Sequence, residues 1–163
     1  MSRTDQALVD KALRKYETGK AREAFVALKR LAEVGNEAAY PMLGYLYDVG
    51  DGTWKDTKLA LHWYLLGYKS GSSMCASNMA TIYRDAGDSR NEYKWYKRAA
   101  EMGDGDAQVE VAIRLLSGKG VRRNVKEAIR LLKKVETMPH TSEAACDSAK
   151  QLLRGSEVTG RVG

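Results

Sequence analysis

The chain has 163 residues, 44% of them hydrophobic, and a formal net charge of +6 at pH 7. This length allows one domain with a continuous core, and the scarcity of proline (two) and phenylalanine (one) favours paired helices over a sheet. Two cysteines, Cys75 and Cys146, are too few for a disulfide scaffold and lie in no metal-spaced cluster, which indicates a reducing compartment. The N-terminal segment has no apolar stretch typical of a signal peptide or membrane span, so we expect a cytoplasmic protein.

Residues 4–35 predict an antiparallel helix pair, with TDQALVDKALRKYETG followed by KAREAFVALKRLAEVG. Ala24 corresponds to Ala60 and Ala128 further along the chain, and the turn between the two helices is short. We therefore interpret this segment as a divergent first repeat.

Three further units follow at 36–71, 72–103 and 104–137. The phrase AAYPMLGYLYDVGDG at 38–52 returns as AQVEVAIRLLSGKGV at 107–121, and a third copy, ASNMATIYRDAG, lies between them. The middle unit lacks four residues, which we place in the loop between its helices. Units of this kind bury their apolar faces by stacking, so the predicted fold class is all-α, a right-handed α-α superhelix (α-solenoid) with a concave binding surface.

The first helix of each unit carries the same apolar stripe, which predicts a repeated core face. The stripe consists of Ala39, Leu43, Leu46, Tyr47 and Gly50 in the first full unit, Cys75, Met79, Ile82 and Tyr83 in the second, and Ala107, Val111 and Leu115 in the third. Gly44, Ala80 and Ala112 share one position, which must stay small for the partner helix to approach closely.

The connections within the first and third units carry turn signals. Gly50 and Gly52, and their counterparts Gly118 and Gly120, predict positive φ at a tight helix reversal. The N-cap positions of the following helices fall on two polar residues, Asp56 and Asn124.

The C-terminal segment predicts a capping helix over 138–154, whose Ala145, Ala149 and Leu152 cover the end of the stack. Residues 156–163 have no periodicity and are expected to be a flexible tail. Residues 1–155 are thus predicted to form a single repeat domain.

These repeats resemble the Sel-one-like repeat (SLR) family, a longer-looped relative of the tetratricopeptide repeat. The matching residues are Ala39, Leu43, Gly44, Tyr47, Gly50, Gly52, Asp56, Ala60, Trp63, Tyr64 and Gly71 in the first full unit, Tyr83, Trp95, Tyr96, Ala99, Ala100 and Gly103 in the second, and Gly118, Gly120, Val121 and Ala128 in the third. The third unit replaces the Trp-Tyr pair by Leu131 and Leu132. The resemblance covers roughly residues 36–135 and implies a protein-binding adaptor without catalytic residues.

The sequence contains no convincing catalytic or metal-binding constellation, so neither an enzyme nor a cofactor is predicted. His62 and His140 lie far apart, with no carboxylate or cysteine at ligand spacing. Cys75 occupies the small core position of Ala39 and Ala107, which favours burial over reactivity, and Cys146 is interpreted in the same way.

One stretch concentrates the positive charge. Residues 119–134 hold seven basic residues against one acid, Glu127. The basic patch that we single out consists of Arg122, Arg123, Lys126, Arg130, Lys133 and Lys134. Three interpretations stay open: a solvated outer helix face, a site for an acidic protein partner, and a nucleic-acid site. No aromatic interleaving or recognised motif supports the last of these.

The first helices offer a second candidate surface, on the concave face. Its residues are Tyr45 and Asp48 in the first full unit, Thr81 and Arg84 in the second, and Ile113 and Leu116 in the third. These residues differ where the core repeats, which suits recognition of a protein partner. Alternatively, Ile113 and Leu116 pack on the capping helix.

The predicted function is protein binding without catalysis. Its most specific form, which the resemblance suggests, is a bacterial immunity protein that neutralises a toxin by occluding its active surface. The alternatives are an adaptor scaffold for signalling or assembly and a nucleic-acid-associated protein that uses the basic patch. Either a monomer or a homodimer is compatible with the sequence.

Overall fold

The computed structural model describes residues 3–135, 137–138 and 141–159, and all the regular secondary structure of these residues is helical, without strands. Within these ranges nine α-helices follow one another, with a short 3₁₀ turn at Glu37–Ala39 before the third. They are α1 (Arg3–Glu17), α2 (Ala21–Glu33), α3 (Tyr40–Val49), α4 (Thr57–Lys69), α5 (Ser73–Asp85), α6 (Ser89–Glu101), α7 (Gly105–Ser117), α8 (Val125–Val135) and α9 (Glu143–Thr159).

The chain forms two compact units, Met1–Cys75 and Ala76–Gly163. In the first unit, α1 packs on α2, α3 packs on α4, and α2 also contacts α3. In the second unit, α7 lies against α6 and α8, and α9 covers α8 and part of α7. The predicted pairing of 4–35 is confirmed by α1 and α2, whereas the single repeat domain over 1–155 stays a prediction.

The predicted core stripe is buried. Leu43 and Leu46 have no exposed surface, and on α7 Val111 and Leu115 are no more than 5% exposed. The same spacing therefore directs the same face of successive first helices into the core. Two members of the stripe remain half-buried, Gly50 directly after α3 and Tyr83 in α5.

The small position is also confirmed. A Cβ atom added to Gly44 would lie 2.6 Å from Cδ1 of Tyr64, on the ring that α4 packs against α3. Ala80 and Ala112, at the matching positions, have no exposed surface. Close packing of the two helices leaves no room for a larger side chain at these positions.

The connections between paired helices have two lengths. Residues 50–56 and 118–124 link α3 to α4 and α7 to α8, whereas only 86–88 link α5 to α6, so the four missing residues do lie in a loop. Gly52 and Gly120 have φ of 71° and 74°. A Cβ atom at either glycine would also overlap a backbone carbonyl, that of Ala21 at the start of α2 or that of Ser89 at the start of α6.

N-capping side chains recur at matched positions. Asp56 accepts hydrogen bonds of 3.0 Å from the amides of Lys58 and Leu59, and Asn124 accepts one of 3.0 Å from the amide of Glu127, which confirms both predicted caps. The N-cap of α6 is Asp88, which sequence reasoning did not identify.

The C-terminal helix differs in its bounds from the prediction. It begins at Glu143 and continues to Thr159, so the predicted tail of 156–163 starts inside a helix; residues 160–163 lie outside the described part of the chain. Gly155 does not end the helix, because a glycine in a helix interior costs only about 1 kcal/mol relative to alanine. Ala145 and Ala149 are buried as predicted, and Leu152 is half-buried.

Candidate binding surfaces

In the first unit, Tyr45 lies on the solvent side of α3 and is 39% exposed. Its ring meets that of Tyr16 edge-on, with 6.5 Å between the ring centroids. A hydrogen bond with Asp51, together with burial and the hydrogen bond with Tyr45, raises the pKa of Tyr16 to about 12. Asp48, one turn away from Tyr45, is half-buried. The first unit therefore presents an aromatic pair beside two carboxylates.

In the second unit, the four predicted residues of α5 and α7 differ in exposure. Arg84 is exposed, with its Nε 3.3 Å from the Asp85 carboxylate, and Ile113 is 37% exposed. Thr81 and Leu116 are half-buried. More than a third of the Ile113 surface is therefore accessible. The role of these residues in binding a partner stays a prediction.

A groove of about 790 Å³ lies over α7, between α6 and α8; we call it the basic groove. Its floor is aliphatic, with Val111, Leu115 and Leu131. Its rim carries five basic and two acidic side chains: Lys97, Arg122, Arg123, Arg130 and Lys134, with Glu101 and Glu127. Four members of the predicted basic patch thus come together, whereas Lys126 and Lys133 are not among the described lining residues.

Lys97 belongs to this groove, although sequence reasoning did not include it. It belongs to α6, which forms the wall of the groove opposite α8. Tyr93, Lys97 and Ala100 are spaced by four and three residues and therefore lie on one face of α6. The pKa of Glu127 is lowered first by its hydrogen bond from Arg130, and the charges of Lys134 and Lys97 contribute in the same direction. Basic side chains from both walls therefore act on one carboxylate.

A buried ion cluster joins α6 to α7 beside the groove, and it too was missed. Glu92 has no exposed surface, and its carboxylate accepts a hydrogen bond from Arg114, which is 6% exposed. Arg114 also donates to Glu110 and lies over the Tyr96 ring, with Cζ 4.9 Å from the centroid. Lys119 approaches the second oxygen of Glu92 at 3.6 Å.

The candidates for chemistry remain scattered. His62 is exposed with its ring edge-on to Trp63, and the other histidine, His140, lies outside the described residues. Cys75 is fully buried, whereas Cys146 is half-buried and so less enclosed than predicted. Across the described residues, no group of three or more His, Cys, Asp or Glu side chains could hold a metal ion.

One exposed aromatic residue was not singled out from the sequence. Trp54, in the connection between α3 and α4, is 91% exposed. The other repeat tryptophans are enclosed: Trp95 is buried, and Trp63 is half-buried with its ring centroid 5.7 Å from that of Tyr40. Trp54 is therefore the exception among these three tryptophans.

Paired helices with a repeated core face define an α-helical repeat protein of the solenoid class. The Sel1 repeat family model matches residues 38–72, 93–104 and 105–134. The resemblance noted in the sequence is thereby confirmed: these residues carry repeats of the Sel1-like family. The middle match begins only within α6, which agrees with the shortened loop before that helix.

Two of the solved structures that are similar to the chain illustrate the fold. One is a Sel1 repeat protein from Oxalobacter formigenes, at 26% identity and a TM-score of 0.71, over 84% of this chain and 55% of that protein. The other is c5321, a protective antigen of uropathogenic Escherichia coli strains with an SLR fold, at 21% identity and a TM-score of 0.74, over 82% of this chain and 30% of that protein. The chain thus spans about half of the first protein. A search of curated proteins found no match.

The matched repeats indicate a general class of function. Sel1 repeat proteins generally act as protein-interaction modules, and such repeats typically form scaffolds rather than enzymes. Over the described ranges of the chain, no helix is both long enough and apolar enough to cross a membrane.

Proposed function

We propose that this chain is a non-catalytic module that binds a protein partner through the exposed side chains of its first helices. The contrast along α7 carries the proposal. Val111 and Leu115 are at most 5% exposed, whereas Ile113 on the same helix keeps 37% of its surface accessible. The exposed β-branched side chain of Ile113 on α7 and the exposed, charged Arg84 on α5 are the kinds of apolar and charged contact on which protein partners anchor.

Tyr45 supports the proposal independently in the first unit. It is a large amphipathic side chain, and its contact with Tyr16 restrains it before any partner arrives. Restraint of this kind lowers the entropy lost on binding. The nearby carboxylates of Asp48 and Asp51 would favour a partner that carries arginine or lysine.

In its most specific form, the proposal is that the chain acts in the cytoplasm as an immunity protein, neutralising a toxin by covering its active surface. The alternative is an adaptor that holds two proteins together for signalling or assembly. The two roles differ in the number of partners bound at once and in the effect on the partner's activity.

Affinity capture from the native lysate, followed by mass spectrometry, tests the proposal. We expect one stoichiometric protein whose retention falls with Arg84→Glu or Asp48→Lys. Arg90→Glu makes the same charge change as the first variant on α6 and should leave retention unchanged. Equal retention by all variants would exclude the first-helix surface, and capture of no protein would overturn the function.

The purified partner then separates the two roles. For an immunity protein, adding one equivalent of the chain should abolish the partner's toxic activity. For an adaptor, that activity should persist, and a second protein should be captured together with the first.

A further inference from the structure

We infer that the basic groove is a second binding site, for an extended acidic segment of a partner protein in which carboxylates alternate with apolar side chains. The groove lies between the second helices α6 and α8, so this site goes beyond the first-helix surface of the proposed function. All of its described lining residues belong to the second compact unit.

The charge of the rim is only partly neutralised. Glu101 lies 3.7 Å from the Nζ of Lys97, and Glu127 accepts a 2.7 Å hydrogen bond from the Nε of Arg130. Both acids of the groove are therefore already paired. Arg122 forms no ion pair with any described residue, and the same holds for Lys134. These two cations are available to carboxylates from outside.

The spacing of Arg122 and Lys134 sets the length of the segment. Arg122 precedes α8 and Lys134 lies in its last turn, so they flank a helix of 11 residues. At about 1.5 Å per residue, this helix is about 16 Å long. An extended chain covers that distance with about five residues, at about 3.3 Å each. A short acidic segment could thus place one carboxylate at each end of the groove.

The floor of the groove accounts for the apolar side chains of the proposed segment. Val111, Leu115 and Leu131 line the floor with aliphatic carbon, and the amide of Gln108 is already engaged, donating to the Leu131 carbonyl at 2.7 Å. Successive side chains of an extended segment point in opposite directions. Apolar side chains at alternate positions would therefore face the floor, while the acidic ones reach the rim.

The same observations disfavour two other occupants. Among the described lining residues only Tyr93 is aromatic, and it is half-buried, so stacking platforms for bases are missing. A second copy of this chain carries the same net charge of +6, which opposes docking into a basic groove.

Fluorescence anisotropy with a labelled peptide of about eight residues, alternating Glu and Leu, tests the inference. We expect it to bind the full chain, more weakly as salt rises. Arg122→Glu combined with Lys134→Glu should weaken binding by about tenfold or more, because both free cations become anions. The matched control combines Lys126→Glu with Lys133→Glu, which lowers the net charge equally, from +6 to +2, away from the described lining. Its effect should be clearly smaller, because neither side chain is among the described lining residues and exposed charges act weakly through water and salt.

Three results would overturn the inference. The first is no binding of the peptide, and the second is an equal loss with both double variants, which would indicate attraction by overall charge alone. The third is tighter binding of an oligouridine of matched charge, which would assign the groove to nucleic acid. Arg84→Glu should leave peptide binding unchanged, so a failure of this site and a failure of the proposed function can be told apart.

Discussion

The carboxylate of Glu92 and the guanidinium of Arg114 form an ion pair in the core of the second unit, with 0% and 6% of these residues exposed. The matched positions 68 residues earlier are held by Ala24 and Leu46, which are also fully buried. The second unit thus has a charged pair at two positions where the first unit has an alanine and a leucine. Nε of Arg114 has no hydrogen-bond partner among the described residues.

From this comparison we predict that removing one partner of the pair lowers stability strongly, whereas replacing both partners with apolar residues is tolerated. Arg114→Leu alone should lower the free energy of unfolding by about 3–5 kcal/mol, because it leaves the Glu92 carboxylate buried, with Lys119 as its remaining cationic neighbour among the described residues. Adding Glu92→Ala should restore at least about 2 kcal/mol, since it recreates the apolar pair of the first unit. Urea denaturation of the wild type, both single variants and the double variant measures the coupling. Additive losses would contradict a direct pair interaction.

The contact between Gly44 and Tyr64 leads to a second prediction. Gly44→Ala should destabilise by about 1–3 kcal/mol, because the new methyl group would meet the tyrosine ring 2.6 Å away. Gly155→Ala makes the same change in α9, where nothing lies within 4 Å of the added carbon, and should be neutral or stabilising.

A compensating change sharpens this test. In the third repeat the same two positions are Ala112 and Leu132, both without exposed surface. Adding Tyr64→Leu to Gly44→Ala copies this pair into the first unit and should recover part of the lost stability. Thermal unfolding followed by circular dichroism reports all three variants. If Gly44→Ala proved as harmless as the control, α3 and α4 would be packed less closely than the structure indicates.

What the sequence could predict follows from what the repeats share. The small position at Gly44 and the caps at Asp56 and Asn124 recur with the period, so comparing copies reveals them. The N-cap at Asp88 was not predicted, because the shortened loop shifts the alignment of the repeats before α6. The buried charge of Glu92 was not predicted because the matched positions in the other repeats are alanines. A comparison of repeats then suggests only that this position varies, not that it holds a buried charge.

The basic groove shows a different limit. The residues from Arg122 to Lys134 are close in sequence, so their clustering could be seen without a structure. Lys97 comes from α6, and only the packing of α6 and α8 around α7 brings it to the same groove. Which exposed charges share a cavity depends on tertiary contacts, and these cannot be read from the local patterns of a single sequence.

The two cysteines are expected to differ in reactivity. Cys75 is fully buried, and burial raises the pKa of its thiol, so both access and the thiolate fraction are reduced. Cys146 is half-buried. In native protein at pH 8, a thiol reagent such as DTNB should react rapidly with one cysteine per chain. Cys146→Ala should remove the fast phase and Cys75→Ala should leave it intact; fast labelling of the Cys146→Ala variant would contradict the burial of Cys75.

The N-cap of α6 predicts a specific dependence of stability on pH. The pKa of Asp88 is lowered, first by the hydrogen bond from the backbone amide of Asn91 (3.1 Å) and then by that from its side chain (2.6 Å). A carboxyl group whose pKa is lowered in the folded state stabilises the fold at pH values above its unfolded pKa of about 3.9. This contribution disappears as the pH falls through the folded pKa.

Asp88→Asn keeps a capping oxygen but cannot titrate. We therefore expect the stability advantage of the wild type over this variant to shrink between about pH 5 and pH 3, as measured by urea denaturation at each pH. Because every other carboxyl group titrates in both proteins, the difference isolates Asp88, and parallel curves would mean that its charge does not contribute to the cap.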